Sequence, residues 1–256
     1  MVQGLTEFLP VSSSGHLVVA NALLEAIGNE PTQDLIEVSI ALHLGTLLSV
    51  LVYYRNEVKR LFGEDLAVLP LLVIGTLPAV VVGLTIKKGL PEATESAVLE
   101  SVLLAGFMFP VTAALLVFAS RRTPGEMTYQ QLGWRGALAI GAAQAFAILP
   151  GISRSGATIA AGLLGGLDRQ SASTFAFLLA IPAILGAGLL EGIEALEAGS
   201  TGTPMTTLAV GFVVSFAVGL GALALLIQWV KRGRLAMFAW YLVPLGAAVV
   251  AWRVLG

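Results

Sequence analysis

Six long apolar runs dominate the chain, at roughly Val38–Tyr54, Leu66–Ile86, Val98–Ala119, Ser171–Leu190, Thr207–Val230 and Leu235–Leu255. Each approaches or exceeds the ~20 residues a helix needs to cross the ~30 Å hydrocarbon core of a bilayer. Inside that core no water is present to satisfy backbone groups, so only helices and closed barrels span it. The runs are continuous rather than alternating, which argues against a β-barrel. Charged residues make up 12% of the 256 positions, against 57% hydrophobic, and a soluble domain carries about 25%. The sequence predicts an all-α polytopic membrane protein. A net charge of −2 offers nucleic acid no basic surface, and the absence of cysteine excludes disulfides and thiolate metal sites. No basic residue precedes the short apolar stretch Leu17–Leu24, so the N-terminus does not read as a cleavable signal.

Charge sorts the connections. Arg55, Lys59 and Arg60 follow the first span, Arg121 and Arg122 the third, and Lys231, Arg232 and Arg234 the fifth. Acidic clusters occupy the other ends: Glu25, Glu30, Asp34 and Glu37, then Glu92, Glu95 and Glu100, then Glu191, Glu194 and Glu197. Basic loops stay in the cytoplasm, which puts these connections inside and both chain ends outside. Lys87, Lys88 and Arg253 run against this scheme.

Two polar stretches interrupt the apolar pattern. "QGLTEFLPVSSSGH" runs from Gln3 to His16, and "QAFAILPGISRSG" from Gln144 to Gly156. Each has a glutamine, an apolar stretch, a proline and then Ser-x-Ser-Gly, at an offset of 141 positions from Gln3 to Gln144. Neither Gln3–Leu24 nor Trp134–Leu167 fits a single span, because Pro, Ser and Gly break each in the middle. Each is expected to be a helical hairpin that enters the membrane and leaves on the same side. Such backbone is tolerated at depth only where it is buried in protein or lines a wet cavity. Each hairpin is followed by three spans, an odd number, so the second must enter from the opposite face. The expected architecture is an inverted-topology repeat, each half a re-entrant hairpin plus three transmembrane helices. Repeat 1 is 1–122, repeat 2 is 133–256, and the loop 123–132 joins them in one membrane domain. Paired broken helices in such folds mark binding sites near the bilayer midplane. The apolar arm Gly133–Ala143 has only Met1 and Val2 as its counterpart, so the symmetry leads one to expect a truncated or late-called N-terminus.

The polar residues suggest chemistry. Glu7 lies in an apolar arm, where an ionised carboxylate costs about 2.5–3.5 kcal/mol or more. Gln3, four residues earlier, shares its helical face. Glu7 is therefore a candidate divalent-metal ligand or a base beside an anionic substrate. Ser12, Ser13, Ser14, Gly15 and His16 exceed what an N-cap requires, and a helix N-terminus favours phosphate. His16 is a candidate acid, base or nucleophile, equally readable as structural. Arg154, flanked by Ser153 and Ser155 at another helix start, offers a rigid fork for phosphate oxygens. Thr158 could add a hydroxyl from the same helical face. His43, inside the first span, either bonds across helices or lines the same cavity. Together these groups suit a phosphate or diphosphate.

At these residues the sequence resembles the undecaprenyl-diphosphate phosphatase family of bacitracin-resistance membrane phosphatases. "QGLTE" at Gln3–Glu7 with "FLPVSSSGH" is similar to the family's first motif, and "PGISRSGAT" at Pro150–Thr158 to its second. Further similarity runs through "MTYQQ" at Met127–Gln131 and "FAFLLAIP" at Phe175–Pro182. The resemblance implies removal of the terminal phosphate from a C55 polyprenyl diphosphate, with Mg²⁺ or Ca²⁺, at a site open to the outer face. It implies a metal or acid–base role for Glu7, with Gln3 as weaker partner. It puts Ser13 and His16 at the reacting phosphorus, and Ser153, Arg154 and Thr158 around the diphosphate. Gln3 is the neutral variant of its motif position, which removes one anionic ligand. An inverted-repeat transporter or flippase for a phosphorylated lipid or other anion is the alternative expectation. Small-residue spacings at Gly186–Gly188 and Gly211–Gly221 allow packing within or between chains, leaving a homodimer open.

Overall fold

Proline, serine and glycine decide where the helices of this chain stop. The computed structural model describes residues 1–28, 36–198 and 203–255; Glu30 and Asp34 of the first acidic cluster lie outside them. In chain order the helices are α1 Val2–Thr6, α2 Ser13–Ala26, α3 Ile36–Tyr53, α4 Arg55–Arg60, α5 Leu69–Gly89 and α6 Glu92–Leu99. There follow α7 Val102–Arg121, α8 Trp134–Phe146, α9 Arg154–Leu164, α10 Arg169–Ala198, α11 Met205–Lys231 and α12 Ala239–Leu255. Single 3₁₀ turns occupy Leu66–Val68, Tyr129–Gln131 and Leu235–Phe238. No strand occurs among the described residues, where Met127 pairs with Leu167 in an isolated bridge.

The protein is an all-α, multi-pass membrane protein. Among the described residues, five helical segments are long and apolar enough to cross a bilayer: Leu66–Gly89, Val102–Arg121, Arg169–Ile193, Met205–Lys231 and Leu235–Leu255. The first expected span is a shorter apolar helix, Glu37–Tyr53. The third starts later than its hydropathy suggests. Val98 and Leu99 end α6, and α7 begins only after Ser101, whose side chain accepts from the Leu104 N–H. A polar cap overrides a continuous apolar pattern here because the first amides of a helix need partners.

Without a hydrophobic drive between helices in lipid, close packing relies on small residues. Three interfaces follow this rule. Helix α3 packs along α11, where a Cβ on Gly45 would lie 2.5 Å from the Phe212 carbonyl. Ser49 Oγ there donates to the Phe216 carbonyl at 2.9 Å, and Ser215 Oγ to that of Leu42 at 2.9 Å. Helices α5 and α8 meet backbone to backbone at Gly75 and Gly141, and α7 meets α12 at Gly106 and Gly246. The contact of α5 with α10 is looser. Gly83 and Gly186 have nothing within 4 Å of where a Cβ would stand, and a cavity of about 550 Å³ opens between these helices.

Candidate active site

The two polar stretches fold alike. In each, a short helix ends, the chain turns, and a new helix starts on a serine cap. Ser12 caps α2 by accepting from the Gly15 N–H at 3.2 Å, and Ser153 caps α9 by accepting from the Gly156 N–H at 3.2 Å. Ser12 Oγ lies 3.3 Å from Ser14 Oγ, and Ser153 Oγ 3.2 Å from Ser155 Oγ. These serine contacts recur at the 141-residue offset, although the backbones differ at the caps, Ser12 having φ +70° and Ser153 φ −81°.

The tips touch. Gly151 N–H donates to Ser12 Oγ at 3.1 Å, and a Cβ on Gly15 would stand 2.7 Å from the Gly151 nitrogen. Gly151 itself has φ +91°, a conformation a side chain rarely tolerates. Beneath the second tip, Thr112 of α7 donates its hydroxyl to the Gly151 carbonyl at 2.8 Å and accepts from Ser153 N–H at 3.1 Å. Ser12 also sits at φ +70°, a strain of about 1–3 kcal/mol that must be held by its surroundings.

Glu7 joins the two tips. Its Oε2 accepts from Ser13 Oγ at 2.8 Å and from Gln3 Nε2 at 3.1 Å. Its Oε1 pairs with the Arg154 guanidinium across 147 residues of sequence. The Glu7 side chain is only 8% exposed, so the pair stands in place of solvation that a lone buried carboxylate would lack. Ser13 and Arg154 each occupy the first position of their helix, where free N–H groups and the helix dipole favour an anion.

The cavity between α5 and α10 opens onto this cluster. Its polar end holds Glu7, Ser12, Ser13, Ser14, Ser153 and Arg154, together with His43 and Gln144. Its apolar walls come from Ala79, Val80, Gly83 and Leu84 of α5, and from Ile184, Gly186, Leu189 and Leu190 of α10. His43 bonds to the Ser39 carbonyl through Nδ1 at 3.0 Å, with Glu191 Oε2 at 3.8 Å from the same atom. It lines the cavity, and the hydrogen bond across helices here is made by Ser39, whose Oγ donates to Glu191 Oε2 at 3.4 Å.

Four expected residues do not line this cavity. Gln3 stands behind Glu7, and its Oε1 is buried without a partner among the described residues. Ser155 is buried beside Ser153. Thr158 turns its hydroxyl back to the carbonyls of Arg154 and Ser155, at 2.8 and 3.3 Å. His16 faces away, toward α7 and α12. Its Nδ1 lies 2.7 Å from the Ser12 carbonyl oxygen and its Nε2 2.7 Å from the Tyr241 hydroxyl, with Phe109 edge-on at 5.2 Å. A carbonyl oxygen only accepts, so Nδ1 carries the proton, and in the neutral ring Nε2 takes the Tyr241 hydrogen. His16 therefore holds the strained Ser12 in place.

Fold and site together define a polytopic membrane protein with a Ser–Glu–Arg cluster where two broken helices meet. The family described as "Bacitracin resistance protein BacA" matches residues 1–248. A protein described as undecaprenyl-diphosphatase from Rhodopirellula baltica is 51% identical over 251 residues, spanning 98% of this chain and 94% of its own. One so described from Desulfosudis oleivorans is 39% identical over 271 residues, spanning 98% and 94%. A third, from Desulforapulum autotrophicum, is 36% identical over 263 residues, spanning 94% and 91%. The chain belongs to the BacA family.

Proposed function

We propose that this protein hydrolyses a polyprenyl diphosphate of the undecaprenyl type to the monophosphate and inorganic phosphate, recycling a lipid carrier for cell-envelope glycan synthesis. The relatives described as undecaprenyl-diphosphatases support this activity. One observation carries the mechanism: Glu7 bonds Ser13 on one side and Arg154 on the other.

In this reading Ser13 Oγ attacks the terminal phosphorus while Glu7 takes its proton. The bond from that phosphorus to the bridging oxygen breaks, and the lipid monophosphate leaves with the proton that Glu7 hands to its departing oxygen, which returns Glu7 to the carboxylate. Water, activated by Glu7, then hydrolyses the phosphoserine and releases phosphate. Phosphoryl transfer depends mostly on positioning and charge stabilisation. Arg154 and the amides at the starts of α2 and α9 supply both. Ser12, Ser14 and Ser153 line the headgroup end, and the apolar walls from α5 and α10 take the first isoprene units. A divalent cation fits this donor set. Mg²⁺ is commonly held by one or two carboxylates plus substrate phosphates; Glu7 supplies one carboxylate, and the buried, unpartnered Oε1 of Gln3 is a neutral oxygen beside it. The cation would neutralise charge on the diphosphate.

The reading also takes the fold to be an inverted repeat of 1–122 and 133–256 whose tips are re-entrant. Helix α1 packs on α11 as α8 packs on α5, α7 pairs with α12, and α3 with α10, each a pairing of elements related by the 141-residue offset. With the basic loops taken as cytoplasmic, the reading puts the cavity mouth toward the outer face. A flippase needs a binding site but no serine hydrogen-bonded to a buried carboxylate, so the Ser13–Glu7 bond favours hydrolysis.

Purified protein in detergent, with no membrane to cross, tests the activity. Phosphate release from polyprenyl diphosphate with Mg²⁺, abolished by chelator and restored by added Mg²⁺ or Ca²⁺, is the expected result. Binding without release would establish a carrier instead.

A further inference from the structure

Gln144 is the counterpart of Gln3, but the two glutamines have different surroundings. In the first tip, Gln3 Nε2 donates to Glu7. In the second tip the position equivalent to Glu7 is Ile148, and Gln144 has no carboxylate to bond. Its side chain is 3% exposed, and neither Nε2 nor Oε1 has a hydrogen-bond partner among the described residues. A buried amide left unpaired is costly to the fold, and native structures leave few such groups without a reason. Gln144 sits in the last turn of α8 and lines the same cavity as Ser13, Glu7 and Arg154.

We propose that Gln144 is a substrate-contact residue whose amide N–H groups donate to a nonbridging oxygen of the diphosphate. This rests on the diphosphatase reading and adds a specificity group to it. Diphosphate oxygens only accept, so the donor half of the amide is the half they use. The neutral amide adds a donor without adding charge. Gln3 spends an N–H on Glu7 and does not line the cavity, so it is the second tip that presents an uncommitted amide to the substrate.

The test compares wild type with Gln144→Met, which keeps the length and loses both polar atoms, and with Gln144→Glu, which keeps the shape and loses the donors. Each is assayed for phosphate release across substrate and Mg²⁺ concentration. Each is also melted in detergent with and without a nonhydrolysable polyprenyl methylenediphosphonate. For Gln144→Met the expected result is a 10- to 100-fold fall in kcat/KM, as for loss of one or two hydrogen bonds to a charged group. Its melting temperature without the analogue should equal or exceed that of wild type, because a buried unpaired amide has been removed. The analogue should protect it less than it protects wild type. Gln144→Glu should lose more, and extra Mg²⁺ should not restore it.

Wild-type kcat/KM in Gln144→Met would overturn the proposal and mark the amide as inert. A lowered melting temperature with unchanged analogue protection would overturn it in favour of a packing role. An active Gln144→Glu with a reduced Mg²⁺ requirement would make Gln144 a cation ligand instead. Wild type protected by the analogue but releasing no phosphate would overturn the phosphatase reading, and the Gln144 contact would then be decided by the melting shifts alone.

Discussion

Ser13 and Arg154 occupy the same place in two copies of one motif, and they carry opposite chemistry. Both stand at the first position of a helix, one residue after a capping serine and two before the glycine whose N–H that cap accepts. In the first copy the position holds a short hydroxyl that reaches only Glu7 Oε2. In the second it holds a long cation that reaches across the tip contact to Glu7 Oε1. The carboxylate exists once, because the equivalent of Glu7 is Ile148. The difference teaches that two similar serine-capped turns each supply an anion-friendly helix start, while side-chain length and a single carboxylate distinguish them. In the proposed mechanism the first stretch takes reactivity and the second charge.

The largest effect should come from breaking the charged copy. Arg154→Ala is expected to lower kcat by about 10³-fold or more, in the range of arginines that stabilise a transferring phosphoryl group. It also leaves Glu7 buried without its partner, a change worth roughly 3–5 kcal/mol of stability, so melting in detergent belongs beside the assay. Adding Ser13→Arg to Arg154→Ser sharpens the comparison. The exchanged protein should stay inactive although both residue types are present, because a serine at 154 is too short to reach Glu7.

Breaking the reactive copy comes next. Ser13→Ala should reduce phosphate release by about 10²- to 10³-fold and abolish any phosphoserine trapped by acid quench from labelled substrate. Near-normal turnover of Ser13→Ala would move the nucleophile from the serine to a water on Glu7. Stability should change little, since Ser13 is exposed enough to line the cavity and Ser12 provides the cap.

The smallest effect is expected far from both tips. Asp65, 5% exposed, accepts from the Tyr129 hydroxyl at 2.6 Å, Gln130 Nε2 at 3.3 Å and Arg60 at 3.1 Å, tying the segment between α7 and α8 to the start of α5. Burial first, and then the bond to Asp65, push the Tyr129 phenol well above its ordinary value. Its folded form therefore keeps the proton when the unfolded form loses it near pH ~10. Stability from this group is intact at neutral pH and falls as pH rises through that range. Tyr129→Phe should cost about 1–3 kcal/mol of stability and remove that alkaline slope, while kcat stays unchanged.

Much of the fold is legible in the sequence because its causes are local. Apolar run length marks the spans, and Pro, Ser and Gly break the two hairpins near Pro10 and Pro150. The exceptions have local causes too: Ser101 starts α7 later than hydropathy does, through one cap bond. The site was partly legible. Glu7, Ser13 and Arg154 stood out as polar groups in an apolar setting, and all three meet. His16 reads equally as reactive or structural from the sequence, and its ring turns to Tyr241, 225 residues away. Gln144 passed as a repeat marker; the signal for it was Ile148, the missing carboxylate at the offset of Glu7.

Sequence by itself determined which segments are apolar enough to span a bilayer, the likeness of the two polar stretches, and which residue types stand at the two helix starts, since hydrophobicity and chain breaking act within a few residues. Tertiary structure decided which atoms meet. The Glu7–Arg154 pair, the tight α3–α11 seam beside an open α5–α10 cleft, and the unpaired amide of Gln144 all depend on helix rotation and on glycines distant in sequence. Packing in lipid has no hydrophobic drive to announce such contacts along the chain. Their specificity comes from shape and hydrogen bonding, which exist only once the helices are side by side.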